Sequence, residues 1–309
     1  MLPASYFALL CGLGFQVFWI EMLQNETARS IGLVKKSSIF ENREPLRTHY
    51  TGLQRLDNYM LSPVIFYQDV TSGAHLNSTL LLIALFSTMQ SCAVCMQFRA
   101  MQTYSSQWLQ ALDVIVWGAI NQAWGAAVIY PLWCLQQVYL LTRQRQKRQD
   151  GSARQLDDCE ARTFFWSTML NCAIAIMLVA PGLLGVDNWT RQGYIAYYRF
   201  TPIVSGITPI LLTTSFHLQT AKKHASTGFM GKNIRNALIF TSVYAAACHL
   251  LVLLLCVATK SASTSSAKVF VPATTETTVT SVTEGAHRFL QYDWHIVAAA
   301  LLGLAFLVQ

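Results

Sequence analysis

Six ionisable side chains stand where ionisable groups are costly. Glu21, Asp57, Asp69, Asp113, Asp293 and His249 lie inside or at the ends of long apolar stretches. A charge within a membrane span is expensive enough to mark a functional site by default. Carboxyl groups gathered in a low-dielectric pocket cannot all ionise. One keeps its proton, and a neutral carboxylic acid is a general acid at neutral pH. Taken singly, each acid also reads as a partly solvated marker of a helix end. Aromatic residues accompany them, and an aromatic face stabilises a cation by about 0.5–2 kcal/mol. Trp117 and Trp124 share a helix face with Asn121 and Gln122 nearby at mid-span. Amides at that depth face a bundle interior. This stretch, with Tyr67 and Tyr130, is expected to line a substrate pocket.

The absences narrow the chemistry. There is no glycine-rich phosphate loop, no HExxH and no serine-nucleophile motif. Asp157-Asp158-Cys159-Glu160 is acidic but sits in a basic loop without a second cluster. No metal site is expected. Cys92 and Cys95 form a CxxC inside an apolar block, where two thiols sharing a helix face read as packing groups.

These residues are carried by a chain of 309 residues that is 53% hydrophobic and only 12% charged. A soluble domain has about 25% charged residues, so an ordinary globular or disordered protein is excluded. The apolar residues form blocks of roughly 20, long enough to cross a bilayer as helices. Barrel strands would be short and alternating. The expected fold is therefore all-α, a single polytopic transmembrane helical bundle over residues 1–309. Its spans are Ala4–Leu23, Leu56–Val70, Leu76–Gln97, Leu109–Leu141, Phe164–Leu184, Tyr194–His217, Arg235–Ala258 and Trp294–Val308. Leu56–Val70 is the weakest and on hydropathy alone also fits a re-entrant segment, which would leave seven spans. Pro131, Pro181, Pro202 and Pro209 fall in spans and are expected to kink them. The last block is short, which fits either a short helix or a chain that continues further.

Eight spans put loops alternately on two sides. Side one receives Arg143, Arg145, Lys147, Arg148, Arg154 and Arg162 in one short loop and Lys222, Lys223, Lys232 and Arg235 in another. That density marks side one as cytoplasmic, with both termini on it. The net charge of +7 thus belongs to topology, not to nucleic-acid binding. The glycosylation candidates Asn25 and Asn188 then fall on the lumenal side two, and the Asn77 sequon on side one. Seven spans give a stronger charge bias but place Asn25 in the cytoplasm. The segment 259–285 reads as a flexible Ser/Thr-rich lumenal loop. In the eight-span arrangement Glu21, Asp57, Asp113 and Asp293 share one level near side two, Asp69 lies at the opposite end, and His249 sits ~13 Å deep at 1.5 Å per residue.

Several stretches carry a resemblance. Thr48–Val70 reads THYTGLQRLDNYMLSPVIFYQDV, and residues 288–303 read RFLQYDWHIVAAALLG. Between them lie Gln122, Tyr130-Pro131-Leu132-Trp133, Arg199-Phe200-Thr201-Pro202 and Ala247-Cys248-His249. In order and spacing this series resembles the fungal membrane-bound terpene cyclases of the ascofuranone and macrophorin type, over roughly residues 45–308. It departs in the Ser/Thr-rich loop and at Gln136-Gln137. The resemblance implies an eight-helix isomerase of secondary metabolism in the endoplasmic reticulum, working without metal or cofactor. Its partners would be membrane lipids and a lipophilic prenylated substrate, such as a meroterpenoid with a farnesyl or epoxyfarnesyl chain. Asp57 and Asp293 occupy the two best-matched stretches and are the expected initiating acid and its partner, followed by Asp113, Glu21 and Asp69. His249 is a base, a hydrogen-bond partner or a packing residue. Two rivals stand beside this reading. A transporter or receptor-like bundle would need a polar path to both faces. An intramembrane prenyltransferase would need two Asp-rich clusters on one cavity.

Overall fold

The structure, a computed structural model, describes residues 2–147, 154–220, 230–259, 264–272, 279 and 281–308. Arg148, Lys222 and Lys223 of the expected side-one loops lie outside the described residues, as do parts of the 259–285 segment. The regular elements are α1 (Leu2–Phe15), a π-helical turn (Gln16–Ile20), α2 (Glu21–Gln24), α3 (Thr27–Ser37), α4 (Gln54–Tyr67), α5 (Leu76–Thr103), α6 (Gln107–Trp124) and α7 (Ala126–Lys147). They continue with α8 (Asp158–Leu183), α9 (Asn188–Tyr198), α10 (Thr201–Thr220), α11 (Met230–Ala258), α12 (Ser266–Phe270) and α13 (Val282–Val308). Among the described residues, five helical stretches are long and apolar enough to cross a membrane: Pro3–Gln24, Leu76–Thr103, Asp158–Leu183, Gly231–Ala258 and Val282–Leu307. Exposed Leu254, Val257, Leu302 and Phe306 on α11 and α13 would be costly in water and are at no cost against lipid tails.

Side-chain contacts fix the direction of each long helix. Gly14 lies against Ala127 and Gly125 against Phe18, so α1 and α7 are antiparallel. Gly118 meets Pro202 while Gly206 meets Ala111, so α6 and α10 are antiparallel. On α5, Gln97 donates to Ser167 at 2.5 Å, and the Met101 carbonyl accepts from Arg154 at 2.6 Å. That pairing sets α5 against α8. Asp293 pairs with Ala127 and Ala300 with Cys134, which makes α13 parallel to α7. Helices α1, α5, α6, α7, α8, α10, α11 and α13 thus run along one bundle, with α3, α4, α9 and α12 gathered at one end.

Eight long helices result, but not by the expected division. Leu109–Leu141 is two helices, not one span. They join at Gly125, whose φ of +91° is left-handed and open only to glycine at low cost. A Cβ there would also collide with the Phe18 ring. Tyr194–His217 is likewise divided: Tyr194 belongs to α9, and the long helix begins at Thr201. The last helix begins at Val282, three turns before the expected Trp294.

The correction of most consequence concerns α4, which does not cross. At its start Asp57 binds the turn that follows Tyr50, and Tyr197 of α9 donates to the Tyr50 carbonyl at 3.1 Å. Just beyond its end Asp69 accepts from Thr283 of α13 at 2.6 Å, and Gly182 near the end of α8 presses on Thr71. All these neighbours lie at side two. Both ends of α4 are therefore on that side, and the Asn77 sequon joins Asn25 and Asn188 there. Single cysteines from Arg55→Cys and Ala74→Cys should accordingly react with an impermeant maleimide from the same face of sealed microsomes. Labelling from opposite faces would return α4 to the role of a span.

Candidate active site

Between the helices lies a cavity of about 310 Å³, at the small end of the range for ligand pockets, roughly 300–1,000 Å³. Its wall is largely aromatic and aliphatic: Phe18, Trp19, Phe66, Tyr67, Phe86, Trp117, Tyr130, Tyr198 and Phe289 all line it. Local sequence explains several of these positions. The π-helical turn Gln16–Ile20 re-aims Phe18 and Trp19, a use such turns often serve at functional sites. Phe18 meets Phe289 with ring centroids 3.5 Å apart, and Phe289 meets Phe66 at 5.1 Å. On the far wall Phe86 stacks on Tyr198 at 5.6 Å.

One carboxyl group lines this cavity, that of Asp293. The residue is 4% exposed. Its Oδ1 accepts the Ala127 backbone N–H at 2.7 Å. The Gly125 break explains that bond. The first N–H groups of a helix have no intrahelical partner, and Ala127 stands in the first turn of α7. Asp293 caps it from another helix. Among the described residues no cation forms an ion pair with Asp293.

The other expected acids lie elsewhere. Asp57 is buried away from the cavity, and its carboxylate accepts Thr51 N–H and Thr51 O–H, both at 2.8 Å, and Gly52 N–H at 3.2 Å. Burial pushes this carboxyl up, but the hydrogen bonds from the turn outweigh it and hold it below the ordinary range. Glu21 pairs with Arg288 at 2.5 Å. Asp69 bonds Thr283 at side two, whereas Asp113 sits on the first half of α6, near the α5–α6 turn at side one. The expected levels of these two acids are thus exchanged. This follows from α4: once it fails to cross, every helix from α5 through α6 reverses its direction. His249 lies outside the cavity lining. Its Nε2 accepts Trp294 Nε1–H at 3.2 Å and its Nδ1 faces the Ala245 carbonyl at 2.8 Å, the pattern of an Nδ1–H imidazole.

Of the expected pocket residues, Tyr67, Trp117, Asn121, Gln122 and Tyr130 line the cavity. Trp124 does not; it packs edge-on against Trp19 at 5.6 Å and is half exposed. Its neighbour Gly125 sets this, because Trp124 ends α6. The cavity also holds polar residues that the sequence reading passed over: Gln90, Asn171, Ser205 and Arg199. Ser205 donates to Asn171 at 2.9 Å. Gln90 and Asn171 were legible in principle as amides within apolar helices. Asn25 accepts from Thr27 within its own sequon, and Asn188, at the start of α9, accepts from Arg191. No group of three or more His, Cys, Asp or Glu residues suited to a metal occurs among the described residues. Asp157 and Glu160 instead form a capping box at the start of α8.

A profile of the CtvD domain family matches residues 4–308. Terpene cyclase alnG of Emericella nidulans is 30% identical over 209 residues, 67% of this chain and 55% of that protein. Terpene cyclase verU1 of Penicillium polonicum is 27% identical over 311 residues, 95% of this chain and 80% of that protein. Terpene cyclase DEP1 of Alternaria brassicicola is 23% identical over 320 residues, 95% and 82% respectively. The match thus spans little more than half the length of the Emericella protein. No solved structure matches significantly.

The hydrogen bonds of Asp57 yield a prediction. In Asp57→Asn the remaining oxygen can accept from Thr51, but the NH₂ then faces the Gly52 N–H, and a buried donor left without an acceptor is costly. Thermal unfolding in detergent should fall by several degrees, with an unchanged ligand cavity. An unaltered midpoint would show that the turn does not depend on this carboxylate.

Proposed function

The chain belongs to the CtvD domain family, and from that premise we propose that it is a membrane-bound terpene cyclase. The reaction is an acid-initiated cyclisation of a prenyl chain, farnesyl or epoxyfarnesyl, carried by a meroterpenoid. One observation carries the reading: among the described residues a single buried carboxyl, Asp293, stands in the wall of a cavity rich in aromatic side chains. Named relatives that are terpene cyclases point the same way.

The proposed sequence balances without a co-reactant. The Asp293 carboxyl gives its proton to the terminal epoxide oxygen or alkene carbon, and the C–O bond or the π bond opens. Neighbouring alkenes attack in turn, each forming a ring bond and passing the positive charge onward. A final C–H proton passes to a base and the Asp293 carboxylate regains a proton, so substrate and product are isomers. Low-dielectric surroundings favour the neutral acid that initiation requires. The Ala127 N–H and the N-terminus of α7 then favour the carboxylate left behind. Phe18, Phe66, Tyr67, Trp117 and Phe289 supply aromatic faces along the cavity for the travelling charge. The dry wall keeps water from trapping it.

A transporter reading has less support, because the named relatives are terpene cyclases. The prenyltransferase reading needs acidic clusters that the described residues lack. Orientation follows the charge reading: side one is cytoplasmic, both termini lie on it, and the membrane is that of the endoplasmic reticulum.

In microsomes supplied with epoxyfarnesyl-phenol or farnesyl-phenol, the wild-type chain should form a cyclised isomer of one of them. Asp293→Asn retains an oxygen for the Ala127 N–H and so should fold normally. Its turnover should fall by at least about 10²-fold, the typical share of a positioned general acid. Undiminished product from a folded Asp293→Asn chain would remove Asp293 from the mechanism.

A further inference from the structure

We infer that Arg199 anchors an anionic head group of the substrate, through the Nε–Nη2 edge of its guanidinium. The inference rests on the cyclase reading of the cavity and specifies which substrates it takes. Arg199 follows directly on α9, at the bend into α10, and lines the cavity. Among the described residues no carboxylate forms an ion pair with it. A guanidinium brought this far from water needs compensation.

Part of that compensation is present. The flat face lies over the Tyr59 ring, with 4.4 Å from the guanidinium carbon to the ring centroid. One Nη1–H donates to the Gln122 carbonyl. Gln122 is itself fixed, donating to the Tyr198 carbonyl and to Thr201 Oγ1, both at 3.1 Å. The group is therefore held in place by two neighbouring elements, α4 and α6. Among the described residues its Nε is buried without a partner, and the hydrogen bond of the guanidinium is made by Nη1, which leaves Nη2 beside Nε. Nε and Nη2 together form the parallel two-donor edge that matches a carboxylate. A preorganised, unsatisfied edge on a ligand cavity is an acceptor site awaiting an oxyanion.

The chemistry selects the ligand. A planar anionic head, a carboxylate or an ionised acidic enol, satisfies both donors and the charge. A methyl ester or an unsubstituted phenol offers only a neutral acceptor. Arg199 and Asp293 line the same cavity, so a head group held at Arg199 and a chain terminus at Asp293 would occupy it together.

The test separates binding from turnover. Equilibrium dialysis of detergent-solubilised Asp293→Asn chain, chosen for its expected slow turnover, would compare a farnesylated hydroxybenzoate with its methyl ester. The acid should bind about 10- to 100-fold more tightly, the range of a charge-assisted hydrogen bond. Adding Arg199→Gln should abolish that preference, and adding Arg199→Lys, which keeps the charge but not the fork, should restore only part of it. Circular dichroism and thermal melting identify chains that fold. Equal binding of acid and ester by the Asp293→Asn chain, or a preference that survives Arg199→Gln, would overturn the assignment. If Arg199→Gln does not fold, the Arg199→Lys chain decides: an undiminished preference overturns the assignment and a reduced one supports it. Because no turnover is read, failure here is distinct from failure of the cyclase reading.

Discussion

The bond from the Ala127 N–H to Asp293 joins the fold to its chemistry. A helix start inside an apolar bundle carries N–H groups that neither neighbouring carbonyls nor water can satisfy. Gly125 creates such a start by ending α6 and beginning α7 within one residue. Asp293 of α13 supplies the missing acceptor at 2.7 Å. The same carboxyl thereby becomes part of the cavity wall. Its position is set by a backbone requirement, and its surroundings by the aromatic residues that the π-helical turn, α4, α5, α6 and α13 bring to the same space.

The cap at side two extends this arrangement. With both ends on one side, α4 carries Phe66 and Tyr67 into the cavity, while Asp57 ties its start to the turn that Tyr197 of α9 holds and Asp69 ties its end to α13. The two acids are therefore structural, and Phe66 and Tyr67 face the ligand space. A crossing helix could not divide its residues in this way, because one of its acids would be stranded at the opposite surface.

Much of this was legible in the sequence. Scarce charge and long apolar blocks specified a helical membrane bundle. Ionisable residues in or beside apolar runs placed Asp293 among six candidates, and the resemblance paired it with Asp57. Mid-span amides pointed to Asn121 and Gln122. The break at Gly125 was not legible, because Trp124-Gly125-Ala126 continues the apolar run and a lone glycine within a helix is usually tolerated. Counting α6 and α7 as one span required α4 to serve as another, and the two errors together exchanged Asp69 with Asp113. Arg199 was hidden for a different reason. It lies inside the expected span Tyr194–His217 but close to its side-two end, where a long basic side chain also reads as one reaching for the interface, and only the packing shows it turned toward the cavity. Asp57 matched a recognisable stretch, but a sequence does not distinguish a carboxylate that caps a turn from one that meets a ligand.

The most direct measurement is a structure of the full chain with an unreactive epoxyfarnesyl analogue bound. The expected result places the analogue in the aromatic cavity, with the oxygen or carbon that replaces the reacting terminus within about 3.2 Å of the Asp293 carboxyl, the reach of a general acid. An analogue bound elsewhere, or one whose terminus lies against a different acid, would contradict the assignment of Asp293 as the group that starts the reaction.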